Sequence, residues 1–284
     1  MEMTGAKKPP GRFIRSGKVK DIYELDEDTI LFHFTDRVSA FDVILPATIP
    51  RKGEVLCKLG AYLFETLGVP HHMVRLEAED MMVVKKMSMI PVECVVRGYL
   101  YGSLMDRLLK GEVSLRVEKV MATKLPEPYF DPTTKSDLKD EPITEAEIVE
   151  QERATQDELA HIKQSSIKIY ENLSRRAADS GFILADIKFE FGRRDGDVLL
   201  GDSIGPDEFR MWPVSKYAEG RAQDSYDKQP IRDWLASEGY KARLEHARKH
   251  GEETPPPPKL PDWLVEETSH RYQSVYTALS GQKL

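Results

Sequence analysis

Asp186-Ile187-Lys188-Phe189-Glu190-Phe191-Gly192 constrains the fold more than any other stretch of the chain. Its alternation is strict. Successive side chains of a strand point to opposite faces, so Ile187, Phe189 and Phe191 share one face and Asp186, Lys188 and Glu190 the other. Aromatics on the apolar side require a central, well-packed strand. A half-exposed strand with a solvated charged face has the same pattern. Against that ordinary reading stand the alternating charge signs and the acidic stretch Gly201-Asp202-Ser203 that follows. Two acids on a hairpin suit Mg²⁺, which takes one or two carboxylates plus nucleotide phosphates. Asp195-Gly196 is the strongest two-residue hairpin signal between them. A plain two-residue loop pairs Glu190 with Gly201 and sets Asp202 opposite Phe189, on the buried face. The metal reading therefore predicts a bulge near Gly201, with broken pairing around Leu200–Asp202, that turns Asp202 back to the cleft.

The rest of the chain reads as follows. Residues Phe13 to about Glu93 are mostly β, with a hairpin across Asp26-Glu27-Asp28 and an apolar run from Val43 to Ile49. One helix interrupts them: Val55, Leu56, Leu59, Leu63 and Leu67 recur at the helical period, and Gly68 stops it. Val74–Leu76, Met82–Val84 and Val92–Val96 read as strands. Arg97 to Ser103 reads as a glycine-punctuated turn before a helix over Leu104–Lys110. Lys124 to Pro142 reads as a long functional loop. Thr144-x-x-Glu147 and Thr155-x-x-Glu158 are capping boxes, the second opening a long amphipathic helix that Gly181 ends. Helices are predicted around Trp234 and over Leu264–Leu279, with Pro255–Pro258 as a stiff spacer. Met1–Arg12 reads as a solvated arm.

Composition removes several classes of function. With 41 Lys+Arg against 48 Asp+Glu, the net charge is −7. A phosphate backbone needs excess cations, so nucleic acid is excluded as a partner, but a small phosphorylated ligand in a local basic pocket is not. Cys57 and Cys94 make neither a disulfide framework nor a zinc set, which points to the cytoplasm. Nothing approaches the roughly 18 apolar residues of a membrane span. No obligate protein partner is evident, and no Ser/His/Asp or Cys/His hydrolase set can be assembled. His71-His72 reads as loop.

Three further groups carry chemistry. Arg15-Ser16-Gly17-Lys18-Val19-Lys20-Asp21 lies at a strand-to-strand turn, where glycine admits phosphate and the two lysines face one way. It lacks the Walker spacing, and a surface hairpin has the same composition. Arg97, Ser103, Arg210, Lys228 and Arg232 are cations and a hydroxyl that could jointly hold an anionic substrate; each alone reads as an ion-pair partner. Lys228 and Arg232 share a face at a helix start. Ser39 and Asp42, in Asp36–Asp42, could line a pocket or form a turn.

Taken in order, Ser16–Tyr23, Arg37–Asp42, Pro91–Ser103, Asp186–Gly192, Leu200-Gly201-Asp202 and Asp227–Arg232 resemble the phosphoribosylaminoimidazole-succinocarboxamide synthase (SAICAR synthetase) family of de novo purine synthesis. The resemblance spans nearly the whole chain. It implies an α+β, two-lobed, ATP-grasp-like and distantly kinase-like architecture with mostly antiparallel sheets. A nucleotide cleft would lie between a smaller β-rich lobe, 13–92, and a larger lobe, 93–284. The implied reaction joins the carboxylate of carboxyaminoimidazole ribotide (CAIR) to the amine of L-aspartate, with ATP giving ADP and phosphate. By position, the resemblance puts Gly17, Lys18 and Lys20 on the ATP phosphates and Glu190 and Asp202 on Mg²⁺. Lys188 and Asp186 would be catalytic. Arg97, Ser103, Arg210, Lys228 and Arg232 would contact CAIR, with Ser39 and Asp42 at the pocket border and adenine near Lys85–Val92. Two stretches depart from the family pattern: Glu208-Phe209 stand where small polar residues are usual, and Gly60–Phe64 replaces Ser-x-Phe-Trp-Phe. A small-molecule kinase, such as an inositol-phosphate kinase, shares the D-x-K strand and acidic seat. A nucleotide-binding module without chemistry fits the lysine and acid sets less well.

Overall fold

The computed structural model describes residues 8–135 and 140–284. The expected solvated arm lies outside the described residues as far as Lys7, and Lys8-Pro9-Pro10 carries no regular structure. The chain opens with β1 (Arg12–Ser16), β2 (Lys20–Glu24) and β3 (Thr29–Phe34). The small hairpin β4 (Arg37–Ala40) and β5 (Val43–Thr48) follows, then α1 (Lys52–Thr66), β6 (Met73–Ala78) and β7 (Met81–Lys85). β1, β2, β3, β7 and β6 form an antiparallel sheet in that order. α1 lies on it through the apolar stripe predicted, with Val55, Leu56, Leu59 and Leu63 buried.

The second sheet begins with β8 (Ser88–Met89) and β9 (Val92–Tyr99). After α2 (Ser103–Lys110) come β10 (Lys124–Phe130) and β11 (Thr133–Thr134). Helices α3 (Glu145–Glu150) and α4 (Gln156–Asp179) precede β12 (Phe182–Arg194), β13 (Asp197–Gly201) and β14 (Phe209–Pro213). Its path is β10-β9-β12-β13, with β8 and β14 also on β12 and β11 on β9. Both capping boxes are formed: Thr144 and Thr155 accept from Glu147 and Glu158 N–H, and each glutamate reaches back. The chain closes with α5 (Gln229–Ser237), α6 (Tyr240–His250) and α7 (Asp262–Ser280).

β12 is the central strand that its alternation requires. Ile187, Phe189 and Phe191 are buried in the main core, each burial stabilising by about 1.5–3 kcal/mol. The opposite face is not solvated: Asp186 and Glu190 are also buried. The core runs through both sheets and includes Tyr272, Val275 and Tyr276 of α7. A second cluster joins β4–β5 to α5, α6 and α7 through Val38, Leu45, Ile231, Leu244 and Leu264.

Four expectations are corrected. Arg97-Gly98-Tyr99 is not a turn but the end of β9, and Gly98 is needed for packing: a Cβ there would lie 1.7 Å from the Tyr170 hydroxyl. Lys124–Pro142 is not all loop, because β10 and β11 pair with β9; Pro126 and Pro128 sit where the β10–β9 register shifts. Residues 136–139 of that stretch lie outside the described residues. Lys18 belongs to the β1–β2 turn, so it does not share a strand face with Lys20. There is no bulge at Gly201. The β12–β13 ladder is regular from Arg194↔Asp197 to Glu190↔Gly201, and the chain leaves it at Asp202, whose φ of 55° re-aims the carboxylate. Aspartate tolerates this left-handed conformation better than most residues.

Candidate active site

One concave cleft is lined by Arg97, Ser103, Asp186, Lys188, Asp207, Glu208, Arg210, Asp227, Lys228 and Arg232. The fold thus brings together all five residues predicted to hold an anion. Strand register does much of this. Asp186 on β12 lies opposite Arg97 on β9 and Arg210 on β14. Its Oδ2 accepts from Arg210 at 2.7 Å and stands 3.7 Å from Arg97. Arg97 also donates to Asp131 at 2.5 Å and to Ser103 Oγ at 3.1 Å. Asp131 in turn takes Arg107 at 2.6 Å. Gly102 leaves room for this arrangement, since a Cβ there would approach Arg210 to 2.9 Å. Burial opposes the Arg210 charge, but Asp186 and Asp227 outweigh it and raise the pKa.

Asp207 organises the other wall. It accepts from Lys52 at 2.8 Å and Tyr272 at 2.6 Å, with the Lys228 ammonium at 3.1 Å. Next to it, Glu208 accepts from Ser203 Oγ at 3.0 Å, while its Oε2 is buried without a partner. Burial, then the charges of Asp207 and Asp202, push the Glu208 carboxyl up to about 7.

Lys188 joins this cleft to an acidic cluster that lies outside its lining. Lys188 donates to Glu93 at 2.8 Å and to Glu190 at 2.9 Å. Burial disfavours its ammonium, yet Glu190 and Glu93 raise its pKa well above the usual lysine value. Lys135 also pairs with Glu190, and Lys20 pairs with Asp202. Burial opposes the Asp202 charge, but Lys20 and Lys188 hold its carboxyl well below the usual range. Lys188 and Lys135 thus act on both acids of the predicted metal pair. His72 lies in a loop, as expected, but is buried against the Asp202 carbonyl, with its ring nitrogen at 3.1 Å; burial and Lys20 push its pKa down to about 3.

The remaining predicted residues lie apart from the anion cleft. Gly17 N–H donates to the Lys20 carbonyl at 2.7 Å, closing the β1–β2 turn. Lys18 pairs with Asp42, at the tip of the β4–β5 hairpin. Ser39 is buried in β4 and does not line the anion cleft. Sequence reasoning missed Lys52, Glu93, Asp131, Lys135, Asp207, Glu208, Asp227 and Tyr272 as parts of the network. Asp227 stood inside a quoted motif and Asp207 three residues before Arg210, so nearness in sequence could have flagged both.

The SAICAR synthetase family model matches residues 13–247. A phosphoribosylaminoimidazole-succinocarboxamide synthase of Nitrosopumilus maritimus is 47% identical over 96% of this chain and 99% of its own. The chain belongs to the SAICAR synthetase family. A second relative of that name, from Corynebacterium glutamicum, is 40% identical over 96% of this chain and 94% of its own. Among solved structures, the Saccharomyces cerevisiae SAICAR-synthase complexed with SAICAR superposes with a TM-score of 0.80 at 32% identity, covering 96% of this chain and 95% of that one. A SAICAR synthetase in complex with ADP gives 0.71 at 26% identity, covering 95% and 98%. The fold is accordingly α+β and ATP-grasp-like, with antiparallel sheets. As a SAICAR synthetase the chain is an ATP-dependent ligase of purine biosynthesis, joining CAIR to L-aspartate. Among the described residues no helix is long and apolar enough to cross a membrane.

Proposed function

We propose that the cationic cleft holds CAIR through Arg97, Ser103, Arg210, Lys228 and Arg232, and that the acidic cluster beside it holds Mg²⁺ and the ATP phosphates. The observation that carries this reading is the shared cleft of all five residues expected to bind an anion, with Lys188 among its lining. Glu190 and Asp202 fit a hard divalent cation. Both offer oxygen, and each is balanced by lysine ammonium groups whose charge such an ion would take over. When bound, Mg²⁺ supplies neutralisation of phosphate charge. Gly17, Lys18 and Lys20 bring the β1–β2 turn to the phosphates, and Ser39 and Asp42 border it. Adenine lies by Lys85–Val92, between lobes at 13–92 and 93–284.

The carboxylate of CAIR is a poor electrophile. Phosphoryl transfer from ATP turns one of its oxygens into a leaving group, which the aspartate amine displaces. The protein positions both partners and steadies developing charge, with Lys188 beside the transferring group. Asp186, expected to be catalytic, is committed to Arg210 and Arg97, and we assign it the positioning of that clamp. The reaction takes place in the cytoplasm, with small-molecule substrates alone.

ADP release measured with each substrate omitted in turn tests the reading. Turnover is expected only with CAIR and aspartate together, whereas a kinase would turn over a hydroxyl acceptor without an amine. The dephosphorylated nucleoside of CAIR should lose at least about 10-fold in kcat/KM, because it leaves charge-assisted contacts unmade. Equal values for nucleoside and ribotide would refute the anion site.

A further inference from the structure

We propose that Lys52 and Tyr272, neither of which lines the cleft, are positioning residues of the CAIR site: they hold Asp207 so that Lys228 presents an uncompensated positive charge to the ribotide. The inference rests on the reading of the cleft given above and extends it to two side chains outside it.

The charges set the argument. Among the other cations of this wall, Arg97 has Asp131 and Asp186, Arg210 has Asp186 and Asp227, and Arg232 makes no ion pair among the described residues but acts on Asp227 at a distance. Lys228 has only a share of Asp207. The same oxygen, Oδ2, takes Lys52 at 2.8 Å and Lys228 at 3.1 Å, so one carboxylate serves two ammonium groups. Lys52 and Asp207 are buried and Lys228 nearly so, where charge is poorly screened. A buried excess of positive charge is unfavourable until an anion meets it. Lys228 borders the cleft and Lys52 does not, so the excess is expressed at Lys228.

Tyr272 keeps this sharing in place. Its hydroxyl donates to Oδ1 of Asp207 at 2.6 Å, occupying the oxygen that the lysines do not use. Its ring lies 5.9 Å from the Lys52 ammonium. The same helix, α7, fastens the chain just before Lys52, where Ser269 Oγ donates to the Pro50 carbonyl at 2.6 Å. α7 packs along α1, which begins at Lys52. The family match ends at residue 247, so this support comes from outside the matched segment.

Steady-state kinetics of Lys52→Met and Tyr272→Phe, with CAIR, ATP and aspartate varied separately, test the proposal. Lys52→Met should raise KM for CAIR about 10-fold and Tyr272→Phe about 3-fold, the scale of a weakened charge-assisted contact. In both, kcat should change less than about 2-fold, and KM for ATP and aspartate should hold. In a Lys228→Met background the Tyr272→Phe effect on CAIR should vanish. A purely structural role predicts instead fewer active molecules, hence lower kcat at unchanged KM. That result, or equal shifts in all three KM values, overturns the proposal. Tyr272→Phe loses one oxygen without changing shape, so it remains informative should Lys52→Met fold poorly. Absence of ligation by the unaltered protein would instead sink the underlying reading.

Discussion

The cationic cleft and the acidic cluster beside it hold charge in opposite ways. In the cleft proposed for CAIR, arginines on β9 and β14 are gripped by buried aspartates through strand register. The guanidinium fork is planar and rigid, and its partners are fixed by the ladder, so this end is set before any ligand arrives. At the proposed metal seat the groups are acids, and their partners are lysines drawn from three separate stretches: Lys20, Lys135 and Lys188. A lysine ammonium on a flexible stem exchanges partners easily. The contrast teaches that, on the proposed assignment, CAIR would meet a formed socket, while the nucleotide and its ion would replace contacts that the protein makes with itself.

Three substitutions bear on this contrast. The largest effect belongs to Asp202→Asn, which removes a charge and keeps the volume. Activity should fall about 100-fold or more, and the Mg²⁺ concentration for half-maximal rate should rise, as assayed by ADP release against Mg²⁺. Unchanged Mg²⁺ dependence would mean that the acidic cluster is structural. The next effect separates two lysines of one turn. Lys20 is only 12% exposed and sits on Asp202, whereas Lys18 is 55% exposed on Asp42. Exposed pairs contribute little, so Lys20→Ala should raise KM for ATP about 10-fold and Lys18→Ala about 2-fold, with circular dichroism unchanged for both. Equal effects would erase the distinction between a gripping and a peripheral lysine.

The smallest effect is one of stability. Folding raises the Glu208 pKa from 4.5 to about 7, through burial and then Asp207 and Asp202, with Lys188 and Lys228 opposing. The folded chain therefore holds a proton there that the unfolded chain has released. Stability from this group is full below about 4.5 and is lost as pH rises through about 7. Thermal melts should show Glu208→Gln gaining Tm over the unaltered protein at pH 8 relative to pH 5. A pH-independent difference would place Glu208 in a more polar setting than its unpartnered oxygen indicates.

Local regularities made much of this legible in the sequence. Alternation at Asp186–Gly192 announced both faces of β12, and Thr-x-x-Glu marked two helix starts because the capping bonds span only three residues. β10 was obscured by its two prolines, and α6 by an apolar face of only Tyr240, Leu244 and Ala247. A left-handed Asp202 stands in place of the bulge expected near Gly201, because hydrophobic period records which way side chains point, not a single left-handed residue that ends a ladder. The arginine and lysine partners were out of reach for another reason. Asp131 lies 34 residues from Arg97, and Tyr272 lies 65 from Asp207, so no local pattern links them.

β12 also acts as a ruler. Asp186, which holds the arginine clamp, and Glu190, at the proposed metal seat, stand four positions apart on one continuous strand. At about 3.3 Å per residue that is about 13 Å of backbone. Paired on both sides by β9, β13 and β14, the strand has no hinge along this length. Such a strand keeps the spacing between the arginine clamp and the proposed metal seat fixed. A single-residue insertion within Ile187–Phe189 would alter that spacing by about 3.3 Å and reverse one end's facing, so the segment has no tolerance for length change even where its side chains could vary.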